Sequence, residues 1–371
     1  MPEIWLPYGQ VEVVINAKAE ILGEVLEAPA QGMAEESLQD ALKKLPRKEF
    51  VVLDGSNMAL DMLNRLTALW GAAPKEISVH GGGRWAPSAR KRLARYGYAV
   101  SEEGPTVELG VVDGVLVRSL SNMRKEDSLI ISEASLDPVY GIRGSAAVLA
   151  EALGLGAEAV RRWKGEPAPA TETDPGWFAG RLAEELGDPF CLEYVRSRHG
   201  LAAINVGPHA EVHSKSAQLL KDTRVIPAAK SRLLVVSPGG GEADSTLHAS
   251  LLALCNQAEA VGDDAEVMLV AEAGEGLGSP ALRSLCDLGV RPESLMHVDG
   301  YEDIVMLKWL KANMKLHVIS TLPLTLVEKR LGLLASASAK NAFEDIESRH
   351  GWKLKATMVK DGALTSVRPA Q

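Results

Sequence analysis

The clearest pattern of apolar and polar positions covers residues 232–279. Leu233-Leu234-Val235-Val236 is an unbroken apolar run that stops at Ser237-Pro238-Gly239-Gly240-Gly241. A helix-length segment follows, then a second apolar run, Val267-Met268-Leu269-Val270-Ala271, and a second glycine turn, Gly274-Glu275-Gly276-Leu277-Gly278-Ser279. Continuous apolar strands separated by glycine turns and helix-length segments predict a parallel α/β unit. A glycine cluster between strand and helix leaves backbone N–H groups open, a place for a carboxylate or phosphate. Turn geometry alone also demands such glycines.

The same alternation extends over the rest of the chain. Residues 4–9 and 11–15 predict a hairpin closed by Gly9-Gln10, and the polar stretch 27–48 a loop with one surface helix. Residues 50–53 form a buried strand ending at Asp54-Gly55-Ser56-Asn57. Met62, Leu66 and Leu69 then recur at helical spacing until Gly71 and Pro74 stop the helix. Residues 76–79 repeat the scheme, closing on His80-Gly81-Gly82-Gly83-Arg84-Trp85, with Pro87 near the next helix start. A hairpin turns on Asp113-Gly114, residues 127–132 are a strand, and turn chemistry over 137–144 precedes an alanine-rich helix. Residues 164–175 form a loop, 202–206 a strand, 215–220 a helix and 225–231 a linker between domains. Beyond it, Ile304, Leu307 and Leu310 mark a helix face, and 315–320 form a strand. Pro323 and Gly332 bracket another helix, and 353–359 is the last strand. The expected fold is α/β with two domains, residues 1–228 and 229–371.

Composition narrows the function classes. At 371 residues, 46% hydrophobic and 24% charged, the chain has the make-up of a soluble globular protein of two ordinary domains. A net charge of −9 opposes broad binding to nucleic acid. No apolar run reaches membrane-spanning length, and the acidic start is unlike a secretory signal, so a cytoplasmic protein without membrane contact is expected. Cys191, Cys255 and Cys286 are the three cysteines; without metal or disulfide spacing, they are expected to be buried free thiols.

Candidate chemistry collects at the carboxyl ends of the predicted strands, where open α/β sheets hold their ligands. Asp54, Ser56, Asn57 and Arg84 would share one crevice there, although Asp54 and Ser56 also suit helix capping. His80, closing an apolar strand, is expected to be structural. His209 and His213 are one helical turn apart, a spacing that serves metal binding, but no third ligand lies nearby and a structural role is expected.

The order of motifs along the whole chain resembles the nickel-dependent lactate racemase (LarA-like) family. Leu6-Pro7-Tyr8-Gly9 is similar to the family's opening, and Val235-Val236-Ser237-Pro238-Gly239-Gly240 to its glycine loop. Ala273-Gly274-Glu275-Gly276-Leu277-Gly278-Ser279 is similar to its Gly-Ile-Gly-Ser turn, and Ser320-Thr321-Leu322-Pro323 to its Ser-x-Leu-Pro. The resemblance implies a LarA-like two-domain architecture with a ligand cleft between the domains. It also implies hydride transfer through a nickel-pincer nucleotide, with two histidines handling the hydroxyl proton and an arginine holding the carboxylate of a 2-hydroxy acid.

The residues at those positions depart from the family pattern. Asp54-Gly55-Ser56-Asn57 stands for Asp-x-Thr-Arg, so the arginine is lost. Gly81-Gly82-Gly83-Arg84 stands for Gly-Thr-His-Arg, and Pro138-Val139-Tyr140 for Pro-His-Tyr, so Gly83 and Val139 replace the two histidines. No lysine lies between Lys125 and Lys164, nor any histidine between His80 and His199, where the cofactor lysine and the nickel-binding histidine belong. A Gln and a Lys of the helix after the glycine loop fall at Ala249 and Leu252. The expectation is therefore a protein without racemase activity, metal or cofactor. It keeps a cleft for a small anion, held by Arg84, Arg143 and the Gly239 and Gly240 amides with Asp54, Tyr140 and Asp244 as hydrogen-bonding groups, or serves a protein partner. A diverged 2-hydroxy-acid racemase is the alternative.

Overall fold

The computed structural model describes residues 2–81, 87–100, 106–120, 128–350 and 354–370. The chain begins as the antiparallel hairpin β1 (Glu3–Tyr8) and β2 (Val11–Asn16), in register from Glu3 with Asn16 to Tyr8 with Val11. β3 (Leu22–Leu26), which lacks clear alternation, follows, and α1 (Glu35–Leu42) is the surface helix expected within 27–48.

β4 (Phe50–Leu53) is buried throughout and leads into α2 (Asn57–Leu69), whose first turn is capped by Ser56 Oγ accepting the Ala59 amide. β5 (Ser78–Gly81), α3 (Pro87–Tyr96) and β6 (Ala99–Val100) come next. Gly82, Gly83, Arg84 and Trp85 of the turn expected there lie outside the described residues. β7 (Thr106–Val112) and β8 (Val115–Leu120) pair about Asp113 and Gly114, which take φ of 48° and 80°. Positive φ at both central residues is what a tight hairpin turn requires. β9 (Ser128–Glu133), β10 (Ser135–Asp137) and β11 (Gly141–Arg143) precede α4 (Ser145–Ala152), α5 (Gly156–Arg161) and α6 (Asp174–Glu185). β12 (Phe190–Ser197) and β13 (Gly200–Pro208) complete a six-stranded sheet in the order β13-β12-β9-β4-β5-β6. All its pairings are parallel except that of β12 with β13. Val51, Leu53, Leu129 and Ile131 face Leu60, Leu63 and Leu66 on one side. Val52 and Ile130 face Val148, Leu149, Phe178 and Leu182 on the other. β4, a central parallel strand buried on both faces, is therefore apolar at every position.

α7 (His209–Arg224) leads to β14 (Val225–Ala228), a strand where the sequence predicts a linker. β15 (Ser231–Val236), α8 (Leu247–Cys255), β16 (Val261–Val270), α9 (Pro280–Leu288), α10 (Tyr301–Asn313) and β17 (Lys315–Ile319) follow the predicted rhythm. Between Pro323 and Gly332 only a π-helical turn forms, Leu326–Arg330. The chain continues through β18 (Leu334–Ser336), α11 (Ala339–His350) and β19 (Ala356–Val359). It then adds β20 (Ser366–Pro369), which pairs with β14, so the strand expected over 353–359 is not the last. The second sheet has the order β18-β17-β16-β15-β19-β3, parallel at every pairing. α8, α9 and α10 cover one face. The other is covered by the β1–β2 hairpin and α11, so residues 3–26 build the second sheet from across the division expected at 228/229. The three cysteines are buried and unbridged. Among the described residues no helix is long and apolar enough to cross a membrane.

Gln257, at the end of α8, is fully buried and clamps the final strand. Its Nε2 donates to Gly362 O at 3.0 Å and Thr365 O at 2.7 Å, and its Oε1 accepts from Val367 N at 3.1 Å. Gln257→Leu leaves these buried groups without partners and is expected to lower stability by about 3 kcal/mol in urea unfolding. Amide exchange at Val367 should accelerate more than exchange in β15.

Candidate functional site

In each sheet the strand order reverses once, between β4 and β9 in the first and between β15 and β19 in the second. At such a point the connecting segments leave in opposite directions and open a crevice beyond the strand ends. Asp54 directly follows β4 and Glu133 ends β9, so both carboxylates project at the first crevice. A cleft of about 240 Å³ lies there, closed by segments of the second sheet that carry Glu242, Thr246, His248, Asn256 and Ser279.

The second crevice is filled by protein. The β1–β2 turn sits in it, with Gly241 N donating to Gly9 O at 2.8 Å and Ser237 Oγ donating to Pro7 O at 2.6 Å. A Cβ at Gly240 would stand 2.9 Å from Gly9 O, and Gly240 has φ +74°, so the glycine serves close approach of two backbones. Gly239 N donates to Ser237 Oγ at 3.2 Å. The loop leads into a 3₁₀ turn, Gly241–Asp244, rather than directly into α8, whose cap is Thr246. Asp244 Oδ2 accepts from Gly9 N at 2.8 Å and Glu272 N at 3.2 Å, pinning the hairpin from the other side. Gly239, Gly240 and Asp244 therefore do not line the cleft.

Of the other expected site residues, Asp54, Ser56, Tyr140 and Arg143 line the cleft together. Arg84 lies outside the described residues. Asn57 does not line it: its side chain accepts from Arg92, and its amide donates to Glu242 Oε1 at 2.8 Å. Asp54 accepts from the Ser56 and Glu133 amides and from Tyr194 OH, which also meets Ser56 Oγ at 2.5 Å. Burial, reinforced by the Asp54 and Glu133 charges, pushes the Tyr194 hydroxyl well above its ordinary pKa.

Both cleft arginines are engaged by carboxylates. Arg143 Nη2 meets Glu151 Oε2 at 2.8 Å, and Arg196 Nε meets Glu133 Oε1 at 2.7 Å. Burial raises the Glu133 pKa despite Arg196, and Asp54 adds to the rise. Burial raises that of Glu242 as well, against the Asn57 amide and Arg196, with Glu133 and Asp54 adding repulsion. His248 Nδ1 lies 2.8 Å from Asp303 Oδ1, which orients the ring at the cleft wall. The arrangement offers two buried carboxylates, Glu133 and Glu242, whose pKa values are raised, one oriented imidazole, and an apolar wall of Leu136, Val160 and Leu252.

Sequence reasoning missed Glu133, Arg196, Glu242 and Asn256. Glu133 carried the signal used for Asp54, a carboxylate closing an apolar strand. Arg196 sits on β12, whose apolar and polar residues do not alternate cleanly, and nothing local marked Glu242 or Asn256.

His209 and His213 stack at 5.3 Å away from the cleft, around the fully buried Glu193. Glu193 Oε1 accepts from Ser145 N at 2.7 Å and Ser145 Oγ at 2.6 Å, and lies 3.3 Å from His213 Nδ1. Because the hydroxyl proton goes to Glu193, the contact of 2.6 Å between Ser145 Oγ and His209 Nδ1 has the imidazole as donor. The serine thus stands between histidine and acid, which holds the imidazole in place and does not activate the hydroxyl.

Across solved structures, the chain is similar to the lactate racemase apoprotein from Thermoanaerobacterium thermosaccharolyticum, with a TM-score of 0.77 and 15% identity over 99% of this chain and 100% of that one. It is also similar to a protein of Thermotoga maritima, with a TM-score of 0.64 and 12% identity over 92% of this chain and 100% of that one. No protein-family model and no curated protein sequence matches it. The fold is thus LarA-like α/β. Val139 is fully buried in the core of the first sheet, Ala249 and Leu252 are apolar lining, and no three His, Cys, Asp or Glu side chains among the described residues are grouped to hold a metal ion.

Burial opposes the charge on Glu193, but His213 and the Ser145 donors outweigh it and lower its pKa from 4.5 to about 2. Because the folded value lies below the unfolded one, the stabilisation is complete above the ordinary value and disappears as pH falls through the folded one. Wild type should lose about 3 kcal/mol from this group on acidification. Glu193→Gln should flatten that part of the profile between pH 4.5 and 2, measured by urea unfolding across pH.

Proposed function

We propose that this chain is a lactate racemase-like protein without racemase activity, in which the cleft between the two sheets holds a small molecule. In this reading residues 1–228 and 229–371 act as two units that meet at the cleft, with β1 to β3 built into the second. It is supported by a LarA-like fold whose side chains differ from those the resemblance implies. Where the resemblance implies metal- and proton-handling groups, Val139 fills a hydrophobic core and Ala249 and Leu252 form an apolar wall. An alkyl side chain has no lone pair to bind nickel and no proton to transfer.

A diverged 2-hydroxy-acid racemase is the second reading, favoured by His248. Its contact with Asp303 leaves an oriented imidazole beside the cleft, a group suited to moving a proton.

The test is interconversion of enantiomers. Purified protein supplied with nickel-pincer nucleotide is expected to leave D-lactate and L-lactate each unconverted by chiral chromatography, as in the protein-free control. Conversion of either enantiomer above that control, with stoichiometric nickel in the protein, would overturn the proposal.

A further inference from the structure

Among the described residues, Asp54, Glu133 and Glu242 line the cleft, and the guanidiniums of Arg143 and Arg196 are engaged with Glu151 and Glu133. Beyond burial, the Asp54 charge makes Glu133 costlier to ionise, and Glu133 and Asp54 do the same to Glu242. A cation placed among them removes that cost; an anion adds to it. Gly239 and Gly240, whose amides are expected to hold such an anion, do not line the cleft, and Gly239 N donates to Ser237 Oγ.

Asn256 supplies an independent sign of the ligand. It is 2% exposed and lines the cleft. Its Nδ2 donates to Leu136 O at 3.2 Å, which fixes the orientation of the amide, and its Oδ1 has no hydrogen-bond partner among the described residues. A buried carbonyl oxygen without a donor costs about 1–3 kcal/mol. The missing group is therefore a donor, as the carboxylates also require.

Resting on the cleft-binding proposal above, we infer that the ligand is an aliphatic amine. Its ammonium lies among Asp54, Glu242 and the Asn256 oxygen, and its hydrocarbon stem lies on Leu136, Val160 and Leu252. A bare metal ion does not suit the same charge, because no three of the described carboxylates or imidazoles are grouped to coordinate one. The apolar wall gives the body of an organic cation a surface that a hydrated ion would leave unused.

Isothermal titration calorimetry of the full chain with 1,4-diaminobutane, with D- and L-lactate and with magnesium chloride tests this. The diamine should bind, and the other two should not. Glu242→Gln, which keeps the acceptor for the Asn57 amide, should weaken diamine binding about tenfold. Asn256→Ala should weaken it several-fold, and Leu252→Trp, which fills the cleft without altering charge, should abolish it. Circular dichroism checks that each variant folds, and the wild-type titrations stand without them. Binding of lactate or magnesium in place of the diamine overturns the amine assignment while the ligand cleft survives. Binding of none of the three overturns both. Diamine binding undiminished in Glu242→Gln and Leu252→Trp marks general attraction to an acidic surface and overturns the assignment.

Discussion

Glu242 belongs to the turn after β15, yet its Oε1 accepts the amide of Asn57 at the start of α2. A carboxylate of one sheet thereby closes an open helix end of the other. Each group needs the other: a helix start presents N–H groups without acceptors, and a buried carboxylate requires donors and positive potential. Asn256 makes a second tie across the cleft, to Leu136 O, and Arg368 a third bond between the halves, to Pro169 O. These polar ties hold the walls of the cleft in place. Apolar packing within each sheet holds the halves themselves together.

The two crevices at strand reversals have opposite fates for one steric reason. In the second sheet, Gly240 allows the β1–β2 turn to approach closely enough for Gly241 N and Ser237 Oγ to bond its carbonyls. An anion cradle and a backbone seat demand the same glycines, and here the seat prevails. In the first sheet, side chains rather than backbone line the crevice, so space remains. Among the described residues, Asp54 and Glu133 enter it from the strand ends and Glu242 from across the gap. Arg143 and Arg196 pair with Glu151 and Glu133, and their charges also favour ionisation of Glu133 and Glu242, respectively, although burial outweighs them.

Much of the architecture was legible in the sequence. The apolar runs at 50–53, 233–236 and 267–271 are central parallel strands, because burial on both faces excludes polar residues. Gly9-Gln10 and Asp113-Gly114 marked hairpins through backbone conformations that few other residues adopt. β3, β14 and β20 were not legible. They are short, partly polar or interrupted by proline, and they form only because a partner strand from a distant part of the chain supplies hydrogen bonds. The helix expected after Pro323 shrank to one turn for lack of a long buried face.

The candidate site divides along the same line. By itself the sequence determined where strands end, and hence that Asp54, Ser56 and Tyr140 stand near a sheet's carboxyl edge; it also determined that Val139, Ala249 and Leu252 carry no donor atoms. Those are local properties of periodicity and side-chain chemistry. Only the tertiary structure decided that Glu242 and Asn256 face Asp54, that Asn57 turns aside to Arg92, and that the glycine loop is occupied by the hairpin. Each depends on segments far apart in the chain meeting across a gap, and no pattern within one segment encodes what will lie opposite it.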